Sequence, residues 1–352
     1  MEWRTCGNSG FTLPVLGIGC WSFGGGDYWG PQDQSEVNAL VHCALDRGIN
    51  YFDTAEAYNE GRSEESLGLA LKGRRAQAII GTKVPPNFSE PSVLRQHCEA
   101  SLRRLQTDTI DIYMLHWPIT DYSVEDAFAT LQALQAEGKI RSIGVSNFGS
   151  RQLSEALETG VRIHVNQYCY NLLSRAIEVD LLPVCSRLGI GVLAYMPLLQ
   201  GLLTGKYASA DEMPPSRTRT RHFRGDRKGS RHGEAGAEEA TFAALAGIRQ
   251  VACQLQVPMA HIALAWILSR SAITCVLAGI RSLAQLDENI AGVELLLSPE
   301  VIAHLDLLTE PLLHQLGSSL SFHTVCQLFW LYRTHLYLRL AIQLSCGIRV
   351  RG

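Results

Sequence analysis

The sequence predicts a (β/α)8 barrel: eight parallel strands closed into a ring, each followed by helix, with a hairpin plugging one end. Three observations predict it. Short apolar segments alternate with stretches of helical spacing from residue 33 onward, and the run at 15–19 brings the strands to eight. No G-x-G-x-x-G run follows the first strand, which disfavours a doubly wound sheet, the other arrangement this alternation allows. Successive strands also end on ionisable residues, namely Asp53, Lys83 and His116. In a parallel barrel the carboxyl ends of all strands open on one face, where chemistry is done.

Each element has its own signal. Gly7-Asn8-Ser9-Gly10 lies between two short semi-apolar runs and marks a hairpin within residues 1–13. The first barrel strand, 15–19, leads into a loop from Trp21 to Gly30 rich in glycine and aromatics. No helix starts at the spacing a phosphate-binding loop needs, so this loop reads as the wall of a substrate pocket. Spacing then predicts helix 33–47, strand 49–53, helix 62–72, strand 78–83, helix 90–105 and strand 110–116. Helix 123–137, strand 140–146, helix 150–159, strand 163–167, helix 178–188 and strand 190–195 continue the pattern. An irregular basic insertion, Pro214 to Arg224, precedes two helices at 239–255 and 258–269, split by Pro258. Strand 273–278 and helix 282–291 close the alternation.

Composition narrows the function. The chain has 352 residues, 46% hydrophobic and 18% charged, with net charge −3, an ordinary soluble profile that gives no reason to expect nucleic acid. Its 10 cysteines are scattered without a C-x-x-C pair, which suits free thiols in a reducing compartment. Met1-Glu2-Trp3-Arg4 lacks the apolar core of a signal peptide, so a cytoplasmic location is the default expectation. No second His or Cys sits at ligand spacing near Asp53, Lys83 or His116, so no metal is expected there.

The stretch from Gly48 to Tyr58 organises the chain. Asp53 ends its strand, and a carboxylate there is costly to bury without a partner. The run GINYFDTAEAYNEGRSEESLG, Gly81-Thr82-Lys83, Leu115-His116-Trp117-Pro118 and Gly144-Val-Ser-Asn-Phe148 resemble the aldo-keto reductase family. The resemblance covers roughly residues 10 to 315, with the motifs in the family's order. It implies a TIM barrel with an N-terminal hairpin, and a catalytic set of Asp53, Tyr58, Lys83 and His116. Carbonyl reduction needs a hydride, a proton for the emerging alkoxide, and donors where negative charge develops. Tyr58 would donate the proton, Lys83 would lower its pKa, Asp53 would hold Lys83, and His116 would orient the carbonyl.

The hydride requires a bound nicotinamide. The resemblance assigns Trp21, Asp53, Ser146, Asn147, Gln167 and Tyr195 to its neighbourhood, and Pro197, Leu198, Gln200, Gly201, Lys206 and Arg217 to the phosphates. Gly279, Arg281, Gln285, Glu288 and Asn289 open the last helix, where Arg281 would pair with a 2′-phosphate, so NADPH is expected, with NADH as the alternative. The expected function is reduction of aldehydes or ketones, reversible as alcohol or sugar oxidation. The alternative is a cofactor-binding regulatory subunit, since the family includes β subunits of potassium channels. An oligomer or protein partner is compatible with either.

Two departures from the family stand out. Asn59 occupies a place more often held by Gly, a tolerable turn substitution. The barrel reading covers 1–317, and residues 318–352 are apolar and basic without one acidic residue. Arg333 and Arg339 interrupt that run, which argues against an integral membrane span. It is read as sequence without selected structure, with an interfacial helix or a partner-binding tail as alternatives.

Overall fold

The computed structural model describes residues 1–317; the tail read above as unstructured lies outside the described residues. Two short strands, β1 (Trp3–Thr5) and β2 (Thr12–Pro14), pair antiparallel. Eight parallel strands then close a barrel: β3 (Leu16–Gly19), β4 (Tyr51–Asp53), β5 (Ile79–Val84), β6 (Ile110–Leu115), β7 (Ile140–Ser146), β8 (Val165–Cys169), β9 (Gly191–Tyr195) and β10 (Ile273–Gly279). β10 pairs back onto β3, Val276 opposite Leu16, so no edge is left open. Two of these strands, β4 and β8, differ by two residues from their predicted ends and the rest by one at most, as ladder pairing and apolar pattern do not stop together.

The hairpin plugs the amino-terminal end of the ring. Cys6 and Leu13 are buried with Tyr51, Ile112, Met114, Val165, Leu193, Cys275 and Leu277 in the barrel's inner layer. Gly7 sits so close to the starts of β8 and β9 that an added Cβ would lie 2.5 Å from Gly189 O and Gly191 N. Arg4 fixes the hairpin from outside, donating to Leu268 O (2.8 Å) and Ile273 O (2.7 Å).

The surrounding helices are α1 (Gln34–Asp46), α2 (Arg62–Ala70), α3 (Pro91–Leu105), α4 (Val124–Ala136), α5 (Ser150–Glu158) and α6 (Leu181–Leu188). After β9 come α7 (Glu238–Leu255) and α8 (Met259–Leu268), and after β10 α9 (Leu283–Glu294) and α10 (Pro299–Leu316). α10 was not anticipated, although Ser298 caps it by accepting from Val301 N and Pro299 fills its first turn. No single helix among the described residues is long and apolar enough to cross a membrane. The eight described cysteines are free thiols, and burial pushes Cys6, Cys98 and Cys185 up to about 12.

The basic insertion between β9 and α7 is anchored by a buried histidine. His222 donates from Nε2 to Leu173 O (2.8 Å), and its Nδ1 lies 3.1 Å from Thr220 Oγ1, a pairing the neutral ring satisfies by accepting from the hydroxyl. Burial pushes its pKa down to about 4. Because the unfolded chain would protonate this ring near its ordinary 6.5, stability is lost as pH falls from there towards 4, by about 3 kcal/mol in full. Urea unfolding at pH ~7 and pH ~4.5 checks this. The difference between the two is expected to shrink by about 2 kcal/mol or more in His222→Gln.

Candidate active site

Four side chains from three strand ends and one loop meet at the carboxyl rim. Lys83 is 0% exposed on β5 and donates from Nζ to Asp53 Oδ1 (2.6 Å) and to Thr54 O (2.8 Å). Its third direction faces Tyr58 Oη at 3.5 Å, a long contact, with the ammonium 5.1 Å from the phenol ring centre. Asp53, at the end of β4, has its other oxygen held by Gln167 Nε2 (2.7 Å). The His116 ring follows β6 and meets the Tyr58 ring edge-on, 5.8 Å between centres.

The electrostatics differ in one respect from expectation. Burial pushes the Tyr58 phenol up, Lys83 pulls it down and Asp53 pushes it up again, leaving it above its ordinary value rather than below. Desolvation outweighs the ammonium's attraction because the phenol touches Lys83 only at long range. Burial lowers Lys83, but Asp53 and Tyr58 more than offset this, so it ends above the usual range and stays charged. His116 is held well below its ordinary value, by burial first and by Lys83 second, and is therefore neutral. Its buried Nδ1 has no hydrogen-bond partner among the described residues, a cost that a bound ligand would relieve.

The predicted nicotinamide residues form one connected patch beside Asp53. Ser146 Oγ donates to Gln167 O (3.2 Å), and Asn147 Nδ2 donates to His116 O (3.1 Å) and Ser146 Oγ (3.0 Å). Tyr195 Oη donates to Asn147 Oδ1 (2.8 Å). The backbone is strained here: of the eight non-glycine residues with positive φ among the described residues, six lie at this rim (Asn59, Glu60, Asn147, Met196, Leu199 and Gln200).

The predicted phosphate residues divide. Pro197 and Leu198 belong to the strained turn after β9, and at Gly201 an added Cβ would come 2.9 Å from Lys206 Cε and 3.4 Å from Arg217 Nη1. Lys206 and Arg217 thus converge on a bare glycine, Arg217 held by Gln200 O and Tyr207 Oη (3.2 Å each). Neither has a carboxylate partner among the described residues. At the start of α9, Ser282 accepts from Gln285 N and Gln285 Oε1 accepts from Arg281 N (2.7 Å), a variant of the capping box. Arg281 is engaged otherwise than expected: its guanidinium donates to Trp29 O and to Pro31 O (2.7 Å), tying the loop after β3 to α9. Glu288 pairs with His261 (2.8 Å), Asn289 is buried, and Gly279 lies exposed beside Gly19.

Two residues at the rim, Asn59 and Arg219, have contacts that sequence reasoning did not assign them. Asn59 adopts the left-handed conformation (φ 51°) and donates to Trp21 O (3.0 Å) and Phe23 O (2.9 Å), fixing the aromatic loop against Tyr58. Asn tolerates that conformation better than other side-chain-bearing residues, the one signal available beforehand. In that loop Trp21 stacks on Tyr28 (5.0 Å) and lies 6.0 Å from the Tyr58 ring. Arg219 lies over both, 5.8 and 5.1 Å from their centres. Among the described residues no group of three His, Cys, Asp or Glu could hold a metal ion.

The comparisons agree with this geometry. Aldo-keto reductase YhdN of Bacillus subtilis is 38% identical over 216 residues, 58% of this chain and 65% of that protein, a little under two thirds of its length. The NADH-specific methylglyoxal reductase of Escherichia coli is 33% identical over 83% of this chain and 93% of its own. The crystal structure of an aldo/keto reductase from Klebsiella pneumoniae in complex with NADP and acetate superposes with TM-score 0.69 at 28% identity, covering 88% of this chain and 96% of that one. The family model for the aldo/keto reductase family matches residues 15–310, and the chain belongs to that family.

Proposed function

We propose that the protein is an NADPH-dependent reductase of aldehydes and ketones, able to run in reverse on the corresponding alcohols or sugars, with NADH as the alternative cofactor. The observation that carries this reading is the convergence of the Tyr58 hydroxyl, the Lys83 ammonium, the Asp53 carboxylate and the neutral His116 ring at one rim.

The residues present fit a dinucleotide. The polar patch of Ser146, Asn147, Gln167 and Tyr195 suits a carboxamide and a flat ring. Lys206 and Arg217, two cations without carboxylate partners among the described residues, both lie against Gly201 and suit a pyrophosphate. The α9 amino terminus favours a further anionic group, which a 2′-phosphate supplies, while the Arg281 guanidinium is taken up by the Trp29 and Pro31 carbonyls. When bound, NADPH supplies the hydride. The carbonyl oxygen would lie between Tyr58 and His116, accepting a hydrogen bond from the neutral imidazole. Tyr58, kept protonated by its raised pKa, would transfer its proton to that oxygen as negative charge builds. Lys83 would stabilise the phenolate left behind, and Asp53 would keep Lys83 charged and aimed.

Fluorescence titration with NADPH and NADH, followed by turnover of a broad carbonyl panel including 4-nitrobenzaldehyde, tests the proposal. Tight cofactor binding without reduction of any carbonyl would move the reading to a regulatory subunit. The pH profile is a second check. Reduction requires the phenol and is expected to stay flat between about pH 6 and pH 8, falling only in alkali, whereas alcohol oxidation requires phenolate and should rise with pH. An inflection near pH ~6.5 would implicate an ordinary histidine, contrary to the neutral His116.

A further inference from the structure

Flanking the Tyr58 loop in sequence lies a charged network that the proposed proton transfer does not use. Glu64 on α2 is 0% exposed. It accepts from Thr82 Oγ1 (2.5 Å) and from Arg104 Nε (2.6 Å). Burial pushes its carboxyl up, with Arg104 and Thr82 pulling it back. Arg104, near the end of α3, also reaches Glu56 through Nη2 (3.8 Å) and donates to Ser101 Oγ (3.1 Å). The Glu56 carboxylate is held in addition by His97 Nδ1 (2.9 and 3.0 Å), whose ring stacks on Phe88.

The positions of these carboxylates matter more than their number. Glu56 lies in the loop from Asp53 to Tyr58, and Glu64 lies just beyond the turn that follows Tyr58. Thr82, which Glu64 grips, is the residue before Lys83. At Gly61, between Tyr58 and Glu64, an added Cβ would come 2.7 Å from Arg104 Cδ, so the guanidinium arm also props the turn itself. The loop is also tied by hydrogen bonds from Thr54 N to Gly81 O (2.8 Å), Glu56 N to Lys83 O (3.3 Å) and Lys83 Nζ to Thr54 O (2.8 Å), and by the Thr54–Ser63 hydroxyl pair (2.8 Å). Beyond Tyr58 it is tied by Asn59. One cation therefore joins the carboxylates before and after Tyr58, and through Glu64 and Thr82 the same network reaches the strand that carries Lys83.

Resting on the reductase reading of the site, we propose that Arg104 is a positioning residue: by bridging Glu56 and Glu64 it fixes the Tyr58 hydroxyl relative to Lys83 and the reacting carbonyl. It touches neither substrate nor cofactor. Its loss lets the Tyr58 loop drift, and a displacement on the order of 1 Å at a reacting group costs about 100-fold in rate.

The test uses full-length Arg104→Ala, Arg104→Lys and Glu56→Gln with NADPH and 4-nitrobenzaldehyde. In Arg104→Ala, kcat is expected to fall ~10- to 100-fold while KM and the NADPH dissociation constant move less than about 3-fold, with partial rescue by added guanidinium. Arg104→Lys and Glu56→Gln, milder changes that keep a charge or a shape, should show smaller losses in kcat of the same kind. A spectroscopic readout separates this proposal from the reductase reading. With 3-fluorotyrosine incorporated and the Tyr58 resonance assigned through Tyr58→Phe, its 19F signal should shift or broaden in each variant, whether or not any carbonyl is turned over. If Arg104→Ala does not fold, Arg104→Lys and Glu56→Gln decide. Folded variants with wild-type kcat and an unmoved Tyr58 resonance overturn the proposal. Loss confined to NADPH affinity overturns it equally.

Discussion

Tyr58→Phe is expected to lower kcat for carbonyl reduction by about 100-fold or more while leaving NADPH affinity within about 3-fold of wild type. The substitution removes one oxygen and keeps the ring that packs against Trp21 and His116. Lys83 retains its two short hydrogen bonds, to Asp53 and Thr54, so no buried charge is stranded and the fold should be unaffected. Only the proton for the alkoxide is missing. Stopped-flow reduction and cofactor titration on the same preparation check this. A variant that reduces 4-nitrobenzaldehyde at the wild-type rate would exclude Tyr58 as the donor.

Lys83→Met is expected to abolish measurable turnover and to destabilise the protein by about 3–5 kcal/mol, the penalty for breaking a buried ion pair from one side. The Asp53 carboxylate would remain inside with Gln167 at 2.7 Å and Tyr51 only at 3.5 Å. Removing that charge as well should recover part of the stability. In Lys83→Met with Asp53→Asn, chemical denaturation is expected to show a smaller loss than Lys83→Met alone, with turnover still absent. Equal losses in the single and double variants would mean that Asp53 is not held chiefly by Lys83.

How much of this was readable in the chain follows from where the information lies. Asp53, Lys83 and His116 were legible because each terminates an apolar strand, and parallel strands bring their ends to one face whatever the details of packing. The direction of the Tyr58 pKa was not, because it depends on a balance between burial and a 3.5 Å contact that no spacing encodes. Arg104 escaped for a related reason. A basic residue in the last turn of a helix is ordinary, and only the fold reveals two carboxylates from different elements within its reach. Arg281 was expected to reach for a ligand phosphate, but carbonyls of a loop some 250 residues away occupy its guanidinium. Such long-range partners belong to the assembled molecule.

The hairpin beneath the barrel carries a kinetic consequence. With Cys6 and Leu13 filling the amino-terminal end, cofactor and carbonyl of the proposed reaction would both enter from the carboxyl rim, where Trp21 lies 6.0 Å from the Tyr58 ring. Whichever guest settles deeper has to arrive first and depart last. A dead-end ligand lodged in the outer place should then imprison the inner one, slowing its escape without touching its affinity for the empty protein.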